Sequence, residues 1–458
     1  MRSTYLTQLL ASMVDHGRHF IKGEPVLLDG VGLPQRDQEI GSLAEALLSE
    51  RGAASGVALA HEALSSYRNL SSVEKRNFFR LLHSGFGPDH EAIKKAAQAF
   101  LESATDADAI HLHEAAEPRR QELFRRLNRA PRGTEELVRM REDLLPLLRL
   151  EPELSEVDHD FDHLLASWFN PGFLVLERIG WGSPASILEK IIRYEAVHEI
   201  QSWEDLRRRI DPPDRRCYAY FHPALADEPL IFVEVALTQS IPEAIGPILD
   251  TERQPIEPDI ATTAVFYSIS NCQKGLRGVS FGNFLIKRVV EELKRDLPHL
   301  ETFVTLSPVP TFRRWLQGLL RDDPQGHLTE ESRAFVEKLD NPDWAKSDAI
   351  KHEVQNAFLA LAAQYYLVAK NKDGDPIDPV ARFHLGNGAR LERINWLGDL
   401  SARSLSQAAG LMVNYLYDLD HIESNHERFA KERRVIASRS VAQLLPSQFR
   451  GNPKLGTD

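Results

Sequence analysis

The sequence predicts a two-domain α+β protein, in which an all-α helical bundle precedes an α/β domain with a mixed central sheet. Apolar residues recur at helical spacing through the first third of the chain, which favours amphipathic helices. Beyond the Asn-Pro-Gly of residues 170–172, short runs rich in Val, Ile, Phe and Tyr appear, and such runs favour strands. We therefore predict a helical domain over residues 1–168 and an α/β domain over residues 169–458.

Three segments of the first third carry the helical stripe most clearly: Gln38–Glu50, Ala92–Ala104 and Thr134–Leu150. Thr134 is predicted to cap the third helix, because a side-chain oxygen at that position can accept a backbone N–H. Apolar stripes left exposed on such helices favour self-association.

The second part of the chain reads as strands followed by a β-α-β unit. Predicted strands cover Arg216–Pro223, Pro229–Leu237 and Thr262–Ser270. A glycine-containing turn, a helix from Phe284 and a strand over Glu301–Pro310 follow, and this order is typical of a β-α-β unit. Two later segments, residues 330–368 and 404–420, are predicted to be helical.

Composition limits the classes of function. The chain has 458 residues and a formal net charge of −12, which argues against general nucleic-acid binding. Its two cysteines, Cys217 and Cys272, favour a reducing compartment over a disulfide scaffold. Neither a secretory leader nor an apolar run of about 18 residues is apparent, so we expect a cytoplasmic protein without a membrane partner.

A small-residue turn between the third strand and the following helix is a candidate anion site. It consists of Arg277, Gly278, Val279, Ser280, Phe281, Gly282 and Asn283. Backbone N–H groups and the helix dipole there suit the pyrophosphate of a nucleotide or of coenzyme A. The turn is similar to that of the GNAT acyl-CoA-binding fold, Arg/Gln-x-x-Gly-x-Gly/Ala, with Ser280 in place of the first glycine. An ordinary tight turn before a helix remains the alternative.

Two further residues are candidates for chemistry. Ser307 ends a predicted strand just ahead of Pro-Val-Pro, so its hydroxyl is expected at a bend. His384 precedes a Gly-Asn-Gly turn and is predicted at a strand edge, where an imidazole could exchange protons near neutral pH. Ser307 lies outside any Gly-x-Ser-x-Gly elbow, so a serine hydrolase is not predicted. Purely structural hydrogen bonding is the alternative for both residues.

Four stretches together resemble the malonyl-CoA decarboxylase family, in the family's order and spacing. They are WFNPGFLVLERIGWGSPASILEKI, YSISNCQKGLRGVSFGNFLIKRVVEEL, LSPVPTFRRWL and FHLGNGARLERINWLGDLSARSLSQAAGLMVNY. The resemblance covers the chain from about Trp168 onward and, more loosely, the helical first third.

This resemblance implies a helical oligomerisation domain, a GNAT-like catalytic domain and a homotetramer built as a dimer of dimers. It implies a carboxy-lyase that converts malonyl-CoA to acetyl-CoA and CO2 without metal, biotin or other cofactor. Catalytic roles carry over to Ser307 and His384, and with a looser match to Tyr417, while residues 277–283 are implied to bind acyl-CoA. Mammalian relatives have a glutamate at Ser280, so a role for that carboxylate does not transfer.

The chemistry can also be argued from elementary steps. Loss of CO2 leaves a thioester enolate, which backbone N–H groups near Ser268–Ser270 could stabilise as an oxyanion hole. Ser307 could orient the leaving carboxylate, and His384 could protonate the enolate carbon.

Two alternatives use the same predicted fold: an acyl-CoA N-acyltransferase and a non-catalytic acyl-CoA sensor. The histidine pairs His159/His163 and His111/His113 could in principle bind a metal. We predict instead that both pairs lie on solvated polar faces.

Overall fold

The computed structural model describes residues 35–49, 53–279, 285–323, 328–339, 344–449 and 455–457. Its contacts divide the chain into two compact units. The helical unit comprises Met1–Val175, Phe221–Pro229 and Gln273–Phe281. The sheet unit comprises Leu176–Tyr220, Leu230–Cys272 and Gly282–Asp458.

The helical unit is built from helices, most of which bury an apolar face in its core, as their periodicity predicts. The helices are α1 (Gln35–Leu48), α2 (Ala53–Arg68), α3 (Ser72–Gly85), α4 (His90–Ser103), α5 (Asp106–Ala116), α6 (Arg119–Leu127), α7 (Gly133–Leu144) and α8 (Ser155–Trp168). Phe79, Leu82 and Leu137 are completely buried in this core. Ser71 and Glu74 form a capping box that fixes the start of α3.

The prediction for α7 was wrong at both ends. Arg132, in the left-handed region at φ 60°, precedes the helix without a side-chain cap. Thr134 is already inside the helix, and its hydroxyl donates to Asn128 Oδ1 at 2.6 Å. The helix ends at Leu144, because Pro146 cannot supply the N–H that a longer helix would need.

Ten strands of the described residues form one sheet. They are β1 (Val175–Ile179), β2 (Arg215–Phe221), β3 (Pro229–Thr238), β4 (Thr263–Asn271), β5 (Thr302–Thr305), β6 (Ser307–Pro308), β7 (Arg390–Asn395), β8 (Met412–Leu416), β9 (Val435–Ala437) and β10 (Leu455–Thr457). The order is β1-β2-β3-β4-β5-β8-β7-β9-β10, and β6 continues the β5 edge against β8. The sheet is mixed, since β4 pairs parallel to β5 whereas β3 pairs antiparallel to β4.

The helices of the sheet unit connect these strands. They are α9 (Ala185–Tyr194), α10 (Trp203–Ile210), α11 (Gly246–Leu249), α12 (Leu285–Asp296), α13 (Phe312–Arg321), α14 (Glu330–Lys338), α15 (Asp348–Leu367), α16 (Pro379–Gly386), α17 (Ala402–Ala408), α18 (Ile422–Glu432) and α19 (Arg439–Gln443). One apolar cluster on the sheet includes Val265, Val304, Leu306 and Met412.

The helix predicted over residues 404–420 was wrong in its second half. Helix α17 ends at Ala408, and Ala409 adopts a left-handed conformation with φ 52°. The next residues form β8, which lies between β5 and β7. Val413 and Tyr415 favour a strand, and pairing with two neighbours outweighs the helical spacing of the apolar residues.

The fold-class prediction is confirmed: a helical region precedes a domain built on a mixed sheet. No helix in the described ranges has the length and apolarity that a membrane crossing requires.

Candidate active site

Three of the predicted residues meet in the sheet unit. Oγ of Ser307 lies 3.2 Å from Nε2 of His384, and Nδ1 of the same ring lies 2.8 Å from the hydroxyl of Tyr417. Ser307 donates its hydroxyl proton to Oγ1 of Thr305 at 2.9 Å, and Thr305 accepts the backbone N–H of Tyr415 at 3.1 Å. One hydrogen-bonded chain therefore runs from Tyr417 through the imidazole to Ser307 and Thr305.

The donors in this chain fix the tautomer of the imidazole. Because the single hydroxyl proton of Ser307 goes to Thr305, Nε2 of His384 must be the donor of the bond between Ser307 and His384. A neutral imidazole carries one proton, so Nδ1 accepts the proton of Tyr417. The proton nearest Ser307 is thus carried by Nε2.

Burial keeps this chain uncharged. Desolvation lowers the pKa of His384 to about 3 and raises the pKa of Tyr417 well above its ordinary value. At neutral pH both side chains are neutral. His384 is therefore not an imidazolium in this state, and any proton that it donates must leave from neutral Nε2.

The ring of His384 is also held by stacking. Its centroid lies 4.6 Å from that of Tyr415, with 25° between the planes. This contact and the two ring hydrogen bonds leave the imidazole little rotational freedom.

Ser307 is placed by the divergence of two parallel strands. Pairing of β4 with β5 ends at Phe266 and Thr305, and the N–H of Leu306 makes a last bond to Phe266 at 3.0 Å. Pro308 and Pro310 cannot donate to a ladder, so the ladder does not extend far. The chain leaves β4 after Leu306, and Ser307 and Pro308 form β6, which pairs antiparallel with β8. The bend predicted at Ser307 falls beyond Pro308, since Ser307 itself is paired in the sheet.

The strand-edge prediction for His384 was wrong, since the residue lies in helix α16. Asp378 caps this helix and accepts the N–H groups of Val380 and Ala381, and Pro379 occupies its first turn. A capping aspartate followed by proline is a sequence signal for a helix start. Reading that signal would have corrected the prediction.

Among the described residues, no strand pairs with the edge of β4 beyond the point where β5 leaves it. The N–H of Cys272 donates to Leu230 at 2.9 Å, so, with the alternation of an antiparallel pair, Ser270 and Ser268 also face β3. The N–H of Ile269 consequently faces the edge that β5 has vacated. Within the stretch predicted to form an oxyanion hole, Ile269 has the amide that points outward.

Sequence comparison decides the family of this chain. The malonyl-CoA decarboxylase C-terminal domain model matches residues 172–454, and the N-terminal domain model matches residues 86–169.

The chain belongs to the malonyl-CoA decarboxylase family.

Solved structures and a curated relative agree with this assignment. The crystal structure of malonyl-CoA decarboxylase from Rhodopseudomonas palustris is 54% identical with a TM-score of 0.87, covering 89% of this chain and 99% of that one. The enzyme from Agrobacterium vitis is 55% identical with a TM-score of 0.85, covering 89% and 100%. A mitochondrial malonyl-CoA decarboxylase of Anser anser anser is 38% identical over 427 residues, 86% of this chain and 84% of that protein. The resemblance seen in the sequence is confirmed.

In this malonyl-CoA decarboxylase family member, a buried carboxylate that the sequence did not reveal bonds to the two serines that flank Ile269 on β4. Glu195 accepts the hydroxyl of Ser268 at 2.8 Å and that of Ser270 at 3.2 Å. It also accepts the N–H groups of Val197 and His198, each at 2.8 Å. Nothing in the residues around Glu195 signals its contact with β4, because the two serines lie more than 70 positions away in the sequence.

A second buried carboxylate lies on the neighbouring strand. Glu234 is fully buried on β3 and faces Ser268 across the strand pair. Burial and the nearby charge of Glu195 raise the pKa of Glu234 to about 8, although Arg209 lies 3.5 Å away. This side chain is therefore mostly protonated at neutral pH.

The predicted acyl-CoA turn is described only at its start. Arg277 and Gly278 are exposed and Val279 is buried, whereas Ser280, Phe281, Gly282 and Asn283 lie outside the described residues. Just before the turn, a side chain at Gly275 would come within 1.9 Å of the carbonyl of Val138 on α7, so only glycine fits there.

The paired histidines lie on the surface, as the polar-face interpretation predicts. His111, His113, His159 and His163 are exposed, and three of them line a cleft of about 1300 Å³ in the helical unit. In the described part of the chain, no group of three His, Cys, Asp or Glu side chains is arranged to hold a metal ion.

Proposed function

We propose that this protein is a carboxy-lyase that converts malonyl-CoA to acetyl-CoA and CO2. The observation that carries the proposal is the row of hydrogen bonds that joins Tyr417, His384 and Ser307. The protein in which it occurs is 54% identical to a solved malonyl-CoA decarboxylase. The same substrate gives the name to all the relatives reported above.

The reaction needs a site that stabilises charge and then delivers one proton. When the bond between the carboxylate carbon and the α-carbon breaks, its electron pair forms the enolate double bond and the carbonyl electrons move to oxygen. The enolate then reforms the carbonyl as its carbon takes a proton. The balance is one proton consumed for each CO2 released.

Ser307 orients the leaving carboxylate. Its hydroxyl donates to Thr305 in the free protein and can rotate to a substrate carboxylate, while its oxygen still accepts the N–H of His384. A carboxylate held out of the thioester plane has its breaking bond aligned with the carbonyl π system. The nearly complete burial of Ser307, which is 5% exposed, favours neutral CO2 over a desolvated anion.

His384 is the proton donor, and Tyr417 keeps its ring neutral. The enolate carbon takes the Nε2 proton as the Tyr417 proton moves to Nδ1. Once the products have left, solvent returns a proton to Nε2 as Nδ1 gives its proton back to the Tyr417 phenolate, which restores the starting tautomer. This route needs no imidazolium and therefore fits the lowered pKa of His384. General acid catalysis of this kind contributes about 10²–10⁴-fold to rate.

The outward N–H of Ile269 is the oxyanion donor in this scheme. It lies two residues beyond Tyr267, the extra residue of β4 at the register shift opposite Glu234 and Val235. One preorganised backbone donor contributes about 10²–10³-fold to rate. Glu195 accepts hydrogen bonds from Ser268 and Ser270, the residues on either side of Ile269, and so holds this stretch of β4 in place.

The turn at residues 277–283 is proposed to bind the pyrophosphate of the acyl-CoA. Arg277 is exposed there, and α12 begins at Leu285. The N-terminus of a helix favours anions through its free N–H groups and dipole.

The helical region, predicted as residues 1–168, is proposed to mediate self-association, with the homotetramer implied by the family. Helices α4 and α5 pack against each other, yet neither has a buried side chain. Leu101 is 81% exposed and Ile110 is 58% exposed, so a second copy of the chain would cover apolar surface. A cytoplasmic location stays a prediction from the cysteine content, and the relative from Anser anser anser is named as mitochondrial.

The experiment is to incubate the purified protein with malonyl-CoA and EDTA, and to follow acetyl-CoA through citrate synthase. Steady acetyl-CoA formation without an added amine supports the decarboxylase. Turnover only in the presence of an amine would favour the N-acyltransferase. A raised melting temperature with intact malonyl-CoA would favour the sensor.

A further inference from the structure

Asp378 is a buried carboxylate that the proposed mechanism does not use. It is fully buried, and its two oxygens have different partners. Oδ1 accepts the N–H groups of Val380 and Ala381, each at 2.9 Å. Oδ2 accepts the hydroxyl of Tyr365 at 3.0 Å and that of Thr311 at 3.4 Å.

These partners belong to the two segments that carry the candidate catalytic pair. Val380 and Ala381 form the first turn of α16, and His384 follows in the same short helix. Thr311 comes four residues after Ser307, across a stretch containing Pro308 and Pro310, and prolines restrict its backbone. Tyr365, near the end of α15, also bonds to Thr311.

We propose that Asp378 is a positioning residue, which sets the distance between His384 Nε2 and Ser307 Oγ. Its one carboxylate bonds both to the segment that contains His384 and to the segment that contains Ser307. This inference rests on the proposed function, since it matters to catalysis only if the pair carries the chemistry. A helix cap alone would need Oδ1 only. The two hydrogen bonds to Oδ2 play no part in capping, and one of them comes from Thr311, in the segment that contains Ser307.

The size of the expected effect follows from the geometry of proton transfer. Ser307 and His384 are 77 residues apart and meet at 3.2 Å, so a small shift of either segment breaks their bond. Misplacement of a reacting group by about 1 Å can cost about 10²-fold in rate. The acyl-CoA is proposed to bind mainly through residues 277–283, so KM should stay nearly unchanged.

The decisive variants leave the helix cap intact. Thr311→Val and Tyr365→Phe each remove one hydroxyl from Oδ2, and we expect each to lower kcat about 10-fold with an unchanged KM for malonyl-CoA. Asp378→Asn keeps one oxygen for the helix cap. Its N–H₂ can donate to the oxygens of the Thr311 and Tyr365 hydroxyls, which then act as acceptors, so kcat should stay within about threefold of wild type. Asp378→Ala should lower kcat by about 10²-fold.

A matched control comes from α4. Asp89 caps that helix with the same pair of bonds, from Glu91 N–H at 3.0 Å and Ala92 N–H at 3.1 Å. Asp89→Ala therefore removes an equivalent cap from a helix of the helical unit, and its kcat should equal that of wild type.

A spectroscopic readout separates positioning from general loss of stability. In protein labelled with ¹⁵N-histidine, the His384 nitrogen shifts report which ring nitrogen carries the proton. Thr311→Val and Tyr365→Phe should change these shifts, because the bond to Ser307 is altered. Wild-type kcat in both variants, or a change in KM alone, would overturn the inference even if Asp378→Ala fails to fold. Full activity of Ser307→Ala and His384→Asn in the same assay would instead overturn the proposed roles of the pair.

Discussion

Nδ1 of His384 lies 2.8 Å from the hydroxyl oxygen of Tyr417, although 33 positions separate the two residues. Because Nδ1 accepts the Tyr417 proton in this bond, the N–H of the neutral ring lies on Nε2 and faces Ser307. In the proposed mechanism, Tyr417 supplies the proton that keeps the ring neutral when Nε2 gives up its own.

Tyr417→Phe should slow the reaction without weakening substrate binding. The variant keeps the ring and removes only the hydroxyl, so His384 loses the group proposed to protonate Nδ1 but keeps its stacking on Tyr415. We expect kcat to fall about 10-fold with KM unchanged, a part of the total available from general acid catalysis. Steady-state kinetics measure both constants, and an unaltered kcat would remove Tyr417 from the relay.

The lowered pKa of His384 predicts a specific loss of stability in acid. The ordinary pKa of a histidine is about 6.5, and that of His384 in the folded protein is about 3. At pH values between these two, the unfolded chain binds one more proton than the folded chain. Stability from this group is therefore fully present above 6.5 and decreases as the pH falls, by about 2 kcal/mol at pH 5. Urea unfolding of wild type and His384→Asn at several pH values measures the difference.

For that comparison, His159→Asn is the control, because His159 is exposed on α8. It should keep the pH dependence of wild type, whereas His384→Asn should reduce it. Identical pH dependence in all three proteins would mean that His384 is not buried as described.

Gly388→Ala should unfold the end of α16. Gly388 has φ +82°, and an added Cβ would lie 2.1 Å from the carbonyl oxygen of Ile422. Gly374 has nearly the same φ, +83°, with open space around it. Each alanine costs about 1–2 kcal/mol for the left-handed backbone, and Gly388→Ala costs about 1–3 kcal/mol more for the overlap. Equal losses in chemical denaturation would contradict the close approach to Ile422.

Charge placed on the α4–α5 surface should prevent self-association. The double variant Leu101→Glu/Ile110→Glu puts carboxylates on the two exposed apolar positions of these helices. Light scattering after size exclusion should give a smaller assembly than wild type. Val73→Glu, at a position on α3 that is 68% exposed, is the control that should keep the wild-type mass. An unchanged mass for the double variant would assign the contact elsewhere.

Much of the fold and part of the site could be predicted from local pattern. Strands β2, β3 and β4 match their predicted runs within two residues, because β-branched and aromatic side chains suit a buried sheet. Ser307, His384 and Tyr417 were named through family motifs, and the structure brings them together. Strand β8 was predicted as helix, since its pairing with β5 and β7 depends on residues distant in the chain.

The features that could not be predicted from the sequence are buried polar contacts between residues distant in the chain. Glu195 and Asp378 are isolated acidic residues in the sequence, and both would ordinarily be assigned to the surface. Their partners, such as Ser268 and Tyr365, become visible only when the sheet and helices are assembled. The Asp-Pro pair at 378–379 indicates a helix start from the sequence alone. The contacts of Asp378 Oδ2 could not be predicted in this way.

The most direct test of the central claim is to measure kcat and KM for malonyl-CoA in wild type, Ser307→Ala and His384→Asn, with EDTA present. We expect both variants to keep KM and to lose about 10²-fold or more in kcat, because the proton donor or the group that orients the carboxylate is missing. Wild-type kcat in His384→Asn would contradict the role of His384, since the proton would then come from another group.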